Sequence, residues 1–399
     1  MNIAVVNSGV VHAKARTLAF GRCFETVDYI DVAGIDDPMD FKGTNITYHR
    51  FHYGRFGRIS GYFAMHRLLR SIRPDGIVSH FASGPGFFST VSYARCPVAA
   101  IAMGHDVLYD KGDGYVPKDQ RFLTRYGLRL VDYVSAKSKV VRDRILTYGA
   151  RELIDVNYWG VDTKVFKPID REAARADLGL NNLRRIILSP RALEPRLNIL
   201  LIVEAFNEIK DVFPDLTLIL IGRSLESYKT RVLDYINKNN LNDRVKVYGA
   251  CDAKRLNLFY NSSDVVVSMA SSEGFPNSVL EAMACKKLVL VGEIEQTKEL
   301  LMDRVNAIMC KIEKGQIVAG MTAIFGGEAS ARDRMTEEAY RTVLQHANIE
   351  DNAKRFAAHF EEVALRYRTL PWGTRVPKKI RKAIFTAIYF ILVIVRKMF

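Results

Sequence analysis

Two doubly wound α/β domains and a basic C-terminal tail are what this sequence predicts. Three observations carry the prediction. Short apolar runs alternate with amphipathic stretches, the pattern of parallel strands joined by crossover helices. The alternation breaks between Tyr158 and Pro168 and then restarts. The chain has 399 residues, too many for one ordinary core and suited to two with an extension.

Residues 3–6 are an apolar run leading into Asn7-Ser8-Gly9-Val10, which reads as a buried strand feeding a loop. Similar runs stand at 76–79, 98–102 and 133–136, with helical stretches at 59–71 and 120–131. After the break, strands are expected at 185–189, 216–221, 245–248, 264–269 and 288–291, with helices at 199–212 and 227–239 between them. The expected domains are therefore 1–165 and 166–351. An amphipathic helix over 352–370 is expected to pack back on the first domain, and 371–399 form the tail.

Hydrophobic residues make up 48% and charged residues 26%, which excludes disordered, collagenous and multi-span membrane classes. Cys23, Cys96, Cys251, Cys285 and Cys310 are scattered, odd in number and without a C-x-x-C pair. No disulfide framework or zinc site is expected, and a reducing compartment follows. The N-terminus reads as a strand and not as a signal peptide.

The net charge of +14 is unevenly placed. Residues 371–399 hold seven cations and no acid, and residues 41–74 again hold seven and none. Such stretches suit an anionic partner: a membrane, a nucleic acid or a phosphorylated substrate. No nucleic-acid motif accompanies them, so no nucleic-acid partner is expected. Tyr48, Phe51, Tyr53, Phe56, Tyr62 and Phe63 alternate with the arginines of the first stretch, as at an interfacial surface. Arg121, Arg125 and Arg129 recur on one helical face, either as part of that surface or as a solvated one. The apolar part of the tail, 383–395, covers roughly 20 Å as a helix, short of the ~30 Å hydrocarbon core. It predicts a helix lying on one leaflet, or else docked on the protein itself.

In open parallel sheets ligands bind beyond the carboxyl ends of the strands. Three such ends stand out in the second domain. Arg191 and Arg196 follow the strand ending at Ser189, and guanidinium forks suit phosphate oxygens. Gly222 follows the next strand and permits a sharp turn or close backbone approach. The third end, 271–284, carries Glu273 in the strand-to-helix loop and Glu281 in the helix. The N–H groups of Gly274, Phe275, Asn277 and Ser278, interrupted by Pro276, are available there for phosphate and sugar oxygens. Carboxylates accept from sugar and ribose hydroxyls. The purely local alternative is a capping box, Ser278-x-x-Glu281, with Glu273 a plain loop acid.

Glu273 and Glu281, set in Glu-Gly-Phe-Pro and Glu-Ala-Met-Ala, resemble the E-x7-E signature of retaining GT-B glycosyltransferases of the large group called family 4. The resemblance extends to Pro74–His80, to Gly104-His105-Asp106-Val107, to Gly160-Val161-Asp162 with Phe166-x-Pro168, and to Tyr260 with Ser263-Asp264. It implies two Rossmann-like domains facing a central cleft and a nucleoside-diphosphate sugar as donor, UDP- or GDP-linked. Arg191 and Arg196 would grip the diphosphate, with Arg196 where the family usually has Lys. Glu281 would bind the ribose and Glu273 the donor sugar, with Gly274–Ser278 and Gly222 alongside. In the first domain Gly9 would approach the diphosphate, and His105, or alternatively His80, would meet the donor sugar. No Asp-x-Asp occurs, so neither metal nor cofactor is expected, and the arginines and the helix dipole would stabilise the leaving group. The basic stretches then imply a lipid-linked or glycolipid acceptor and a peripheral or monotopic place on the cytoplasmic face of a membrane. The competing function is a catalytically silent sugar-nucleotide-binding scaffold.

Overall fold

The computed structural model describes residues 1–7, 12–32, 34, 37–52, 57–109, 117–150 and 153–398, and in the last helix the side chains of 377–394. Gly9, Tyr53 and Phe56 lie outside the described residues. The chain divides into two compact units at Trp159/Gly160 and Asn348/Ile349, so that the C-terminal residues from Ile349 onward belong to the first unit.

The first unit holds seven parallel strands: β1 (Asn2–Asn7), β2 (Thr26–Asp31), β3 (Ile46–Arg50), β4 (Gly76–His80), β5 (Val98–Ala102), β6 (Tyr133–Ala136) and β7 (Leu153–Val156). Their order is β3-β2-β1-β4-β5-β6-β7, with Val5 beside Tyr29 on one side and Val78 on the other. β4 and β5 are buried throughout and β1 all but Asn2, hence the unbroken apolar runs that mark them in the sequence. β2, β3 and β7 carry polar residues and are only partly buried, so they escape that criterion.

β3 and the residues around it narrow the interfacial reading of 41–74. Tyr48 stacks on Phe41 at 5.9 Å, and its hydroxyl donates to Asp31 at 3.1 Å. Phe51 and Tyr62 are buried. Only Phe63, among the described aromatics of that stretch, is exposed. The aromatic alternation is mostly the inner face of a strand and a helix. The arginines of α4 (Lys118–Leu128) and its C-cap are likewise engaged within the unit. Arg121 lies over the Tyr109 ring, Arg125 over the Tyr148 ring, and Arg129 donates to the Tyr148 carbonyl.

The helix expected over 352–370 is α13 (Ile349–Thr369). Its Phe356 and Phe360 pack beneath the first sheet with Phe20, Tyr133 and Trp159. Gly76 has no side chain because a Cβ there would stand 2.7 Å from the Phe360 ring. The tail is one helix, α14 (Trp372–Met398). Of the two readings of the tail, docking on the protein is observed for one face: Phe385, Tyr389 and Val393 enter the core of the first unit. Lys382 is buried and donates to the Tyr93 carbonyl at 2.8 Å, and Lys378 pairs with Asp132. Two of the basic residues before the apolar run are thus spent internally.

The second unit has six parallel strands: β8 (Arg185–Ser189), β9 (Leu216–Ile221), β10 (Val245–Tyr248), β11 (Val265–Ser268), β12 (Leu288–Gly292) and β13 (Ile308–Cys310), in the order β10-β9-β8-β11-β12-β13. β8 and β11 are neighbours in space although their register partners, such as Leu188 and Val266, are 78 residues apart. That is the switch point, where successive connections leave in opposite directions and open a crevice. In the first unit the switch point falls between β1 and β4, whose last residues are Asn7 and His80.

Candidate active site

The switch point of the second unit assembles the residues that the sequence singled out. Arg191 leaves the end of β8, and Glu273 leaves the end of β11. Arg191 donates through Nη2 to Glu273 Oε1 and through Nη1 to Ser278 Oγ at 2.9 Å. The two charged side chains are 10% and 13% exposed. Arg196 sits in the 3-10 turn Pro195–Leu197 with its Nη1 3.8 Å from the same Glu273 oxygen. Its Nε donates to Glu194 at 3.1 Å. Two arginines are thus balanced by Glu194 and Glu273. Arg191 Nε and Glu273 Oε2 are buried without a hydrogen bond, unusual for charged groups, whose orphaned atoms cost about 1–3 kcal/mol each. The pair has unused donor and acceptor capacity.

The helix after this loop is α10 (Asn277–Ala284), with Pro276 as N-cap and no side-chain cap. The capping box is not formed. Ser278 accepts from Arg191, and Glu281, in the second turn, accepts from the Tyr260 phenol at 2.7 Å. Tyr260 lies in α9 (Ala253–Ser262) and is fully buried. Burial first, and the adjacent Glu281 charge second, push its hydroxyl well above the ordinary phenol range, so it is a fixed donor. The Phe275 ring is core, so that residue has only its backbone to offer a ligand. Gly274, Pro276 and Asn277 are buried in the same loop and first turn, where the N–H groups of a helix start point outward.

Gly222 has a structural reason of its own. A Cβ there would stand 2.5 Å from the Arg191 carbonyl oxygen. The two strand exits are tied together by Leu193 N–H to the Arg223 carbonyl, 2.8 Å, and Leu225 N–H to the Leu193 carbonyl, 3.1 Å. Gly222 therefore seats the Arg191 loop. Asn198 does similar work from the other side. It adopts φ +53° and donates to the Met269 carbonyl and the Ser271 hydroxyl, both at 2.7 Å. Sequence reading missed Asn198 and Glu194. A left-handed Asn before an apolar helix is a recognisable punctuation signal; Glu194 has none.

In the first unit His105 is exposed in the loop after β5. Asp106 beside it is buried and accepts from the N–H groups of Ala82 (2.7 Å), Met103 (3.0 Å) and Gly104 (2.8 Å). It therefore fastens the β4 exit to the His105 loop. Burial pushes its carboxyl up to about 6 against the pull of those bonds. His80 differs: it is fully buried, and both ring nitrogens are without a hydrogen bond. Burial, and then the charge of Arg16, hold its imidazole well below the ordinary range, so it is a neutral core residue at this position. Arg16, also unanticipated, is buried over the Trp159 ring at 5.5 Å and donates to Met103 Sδ at 3.2 Å. Among the described residues no group of three His, Cys, Asp or Glu is placed to hold a metal ion.

Residues 170–342 match the family model described as glycosyl transferases group 1. The match lies within the second unit. The matched residues include Arg191, Arg196, Glu273 and Glu281. Among curated proteins, the D-inositol 3-phosphate glycosyltransferase of Segniliparus rotundus is 25% identical over 203 residues, 49% of this chain and 45% of that protein. The N,N'-diacetylbacillosaminyl-diphospho-undecaprenol alpha-1,3-N-acetylgalactosaminyltransferase of Campylobacter jejuni is 22% identical over 196 residues, 47% of this chain and 48% of its own length. The chain spans about half the length, or less, of these curated relatives. The structure of Anabaena HepE in complex with UDP and glucose superposes with a TM-score of 0.78 at 18% identity, over 90% of this chain and 99% of that one. The fold is thus GT-B, with two Rossmann-like parallel-sheet domains.

Proposed function

We propose that this protein is a retaining glycosyltransferase that moves a hexose from a UDP- or GDP-linked donor to a lipid-linked or glycolipid acceptor at the cytoplasmic face of a membrane, without a metal. The observation that carries the reading is the buried Arg191–Glu273–Ser278 cluster at the β8/β11 switch point, with Glu281 one helical turn beyond it. A diphosphate there meets Arg191, Arg196 and the start of α10. Donor hydroxyls meet the acceptor oxygens of Glu273, and the ribose hydroxyls those of Glu281. As the sugar bond breaks, negative charge grows on the leaving phosphate, and preoriented cations lower the barrier without reorganising. The leaving phosphate then takes the proton of the acceptor hydroxyl, which enters on the face the phosphate leaves. The family resemblance assigns the first unit's donor-sugar contact to His105, whose loop Asp106 fastens.

The lipid-linked acceptor reading draws on the name of the Campylobacter relative, which contains a diphospho-undecaprenol. The test is a melting-temperature panel with UDP, GDP, ADP and TDP, followed by transfer assays with sugars of the nucleotide that binds. A ligand at ~100 times its Kd adds about 2.7 kcal/mol. Stabilisation by one nucleotide, lost in Glu281→Ala, and release of that nucleotide with an α-linked product from an α-linked donor support the proposal. Nucleotide binding with no transfer to any lipid-linked acceptor would favour the silent scaffold.

A further inference from the structure

We propose that α14, α2 (Gly57–Ile72) and α4 together form a docking platform for an anionic lipid bilayer, with the outer stripe of α14 as its apolar centre. The inference rests on the membrane part of the reading above and is independent of the donor site.

α14 is two-faced. Lys382, Phe385, Tyr389 and Val393 point into the first unit and are buried. Ile380, Ile384, Ile391 and Ile394, on the opposite face at helical spacing, are 47–59% exposed. A helix that only closed a core would carry polar residues there. The stripe widens towards α2, where Phe63 is 57% exposed and its ring lies 5.6 Å from that of Phe390. On α4, which packs against α14 through Tyr126 and the buried Phe385 at 5.7 Å, Phe122 is 50% exposed. Large apolar groups gathered on one face mark an interaction surface.

Charge selects the occupant. α2 and α14 contain no acidic residue, and α4 contains one, Asp119. Arg67 and Arg70 of α2 are exposed beside the stripe, and Lys379 and Arg381 of α14 flank it. An apolar strip bordered by cations on both sides complements lipid headgroups over acyl chains, with about 1 kcal/mol expected per cation at an anionic surface. No described helix is long and apolar enough to cross a membrane, so the platform would lie on the surface. α14 starts at the amino-end side of the sheet, where Lys378 meets Asp132 just before β6. It runs to the first turns of α2, where Phe390 meets Tyr62 at 4.8 Å. A bilayer on this face borders the loops at the carboxyl ends of the first sheet, through which a membrane-held acceptor would arrive.

The test uses the full chain and cosedimentation with vesicles of phosphatidylcholine alone or with ~30% phosphatidylglycerol. Wild type is expected to bind the anionic vesicles at least tenfold better than the neutral ones. Ile384→Asp with Ile391→Asp, on the exposed face, is expected to lose at least tenfold while retaining its circular dichroism and nucleotide-induced melting shift. Arg67→Glu with Arg70→Glu is expected to lose the preference for anionic vesicles. Wild type that fails to bind vesicles, or the Ile variant binding as well as wild type, overturns the proposal. So does a wild-type dimer in sedimentation velocity that the Ile variant turns into a monomer without any vesicle binding by either, since the stripe is then an interface between two copies. Because the nucleotide shift is read separately, failure of the platform and failure of the donor site are distinguishable.

Discussion

Replacing Glu281 by Gln separates the ribose role of that residue from its structural one. The carboxylate is 6% exposed and accepts the buried Tyr260 hydroxyl at 2.7 Å. A Gln carbonyl can go on accepting that hydroxyl, so the melting temperature should stay near that of wild type. What disappears is the charge. A hydrogen bond to a charged group is worth about 1.5–3 kcal/mol and is roughly twice as strong as a neutral one. The variant should therefore bind its nucleoside diphosphate about 0.8–1.5 kcal/mol more weakly, a roughly 4- to 12-fold rise in Kd. Glu281→Ala goes further. It removes the acceptor and orphans a fully buried phenol, at about 1–3 kcal/mol of stability. For a unit of this size that is a fall of roughly 2–12 °C in Tm. Titration calorimetry of both variants with the nucleotide, beside thermal melts, measures the two effects separately. Glu281→Gln binding within twofold of wild type would refute the ribose assignment and leave Glu281 as a partner of Tyr260 alone.

Arg191→Lys keeps the charge but cannot reach Glu273 and Ser278 with two parallel donors; kcat should fall by about 10²-fold in initial-rate assays, the scale of losing one transition-state donor, and a kcat within threefold of wild type would remove Arg191 from the chemistry. Asp106 makes a pH prediction. Its carboxyl is raised to about 6, so the folded state holds the proton more tightly than the unfolded chain. The stability contribution is then fully present below about pH 4 and is lost as pH rises to about 6, by on the order of 3 kcal/mol. Asp106→Asn lacks this titration, so the gap between variant and wild type in denaturant midpoints should shift in favour of the variant from pH 4 to pH 7; a constant gap would count against it. Gly160 stands at φ +56°, and a Cβ there would fall 1.6 Å from the Ala347 carbonyl oxygen. Gly160→Ala must therefore displace the Val161–Ala347 bond of 2.8 Å, and a Tm lowered by less than 2 °C would show that the turn yields without cost.

Much of this molecule is legible in the linear sequence because its physics is local. Strands buried on both faces, such as β4, β5 and β9, must be apolar at every position, and their regular recurrence between amphipathic stretches requires parallel sheets. Arg191, Glu273 and Glu281 are readable too, since they lie in the loops after two strand ends and in the helix that follows the second. Tertiary structure alone decided the rest. Whether Ser278 and Glu281 cap their own helix depended on Arg191 and Tyr260, which arrive from 87 and 21 residues away. Gly222 was open to a ligand in the sequence and proves to be filled by the Arg191 carbonyl. His105, and His80 as its alternative, were both open in the sequence until packing buried His80 and left His105 exposed. The tail's cations could all have faced a membrane, but Lys378 and Lys382 turned inward to Asp132 and Tyr93. Apolar periodicity is dictated by burial along a single element and so survives in one dimension. The partner of a polar group is chosen by whichever donor or acceptor folding brings within 3 Å, and that choice exists only in three.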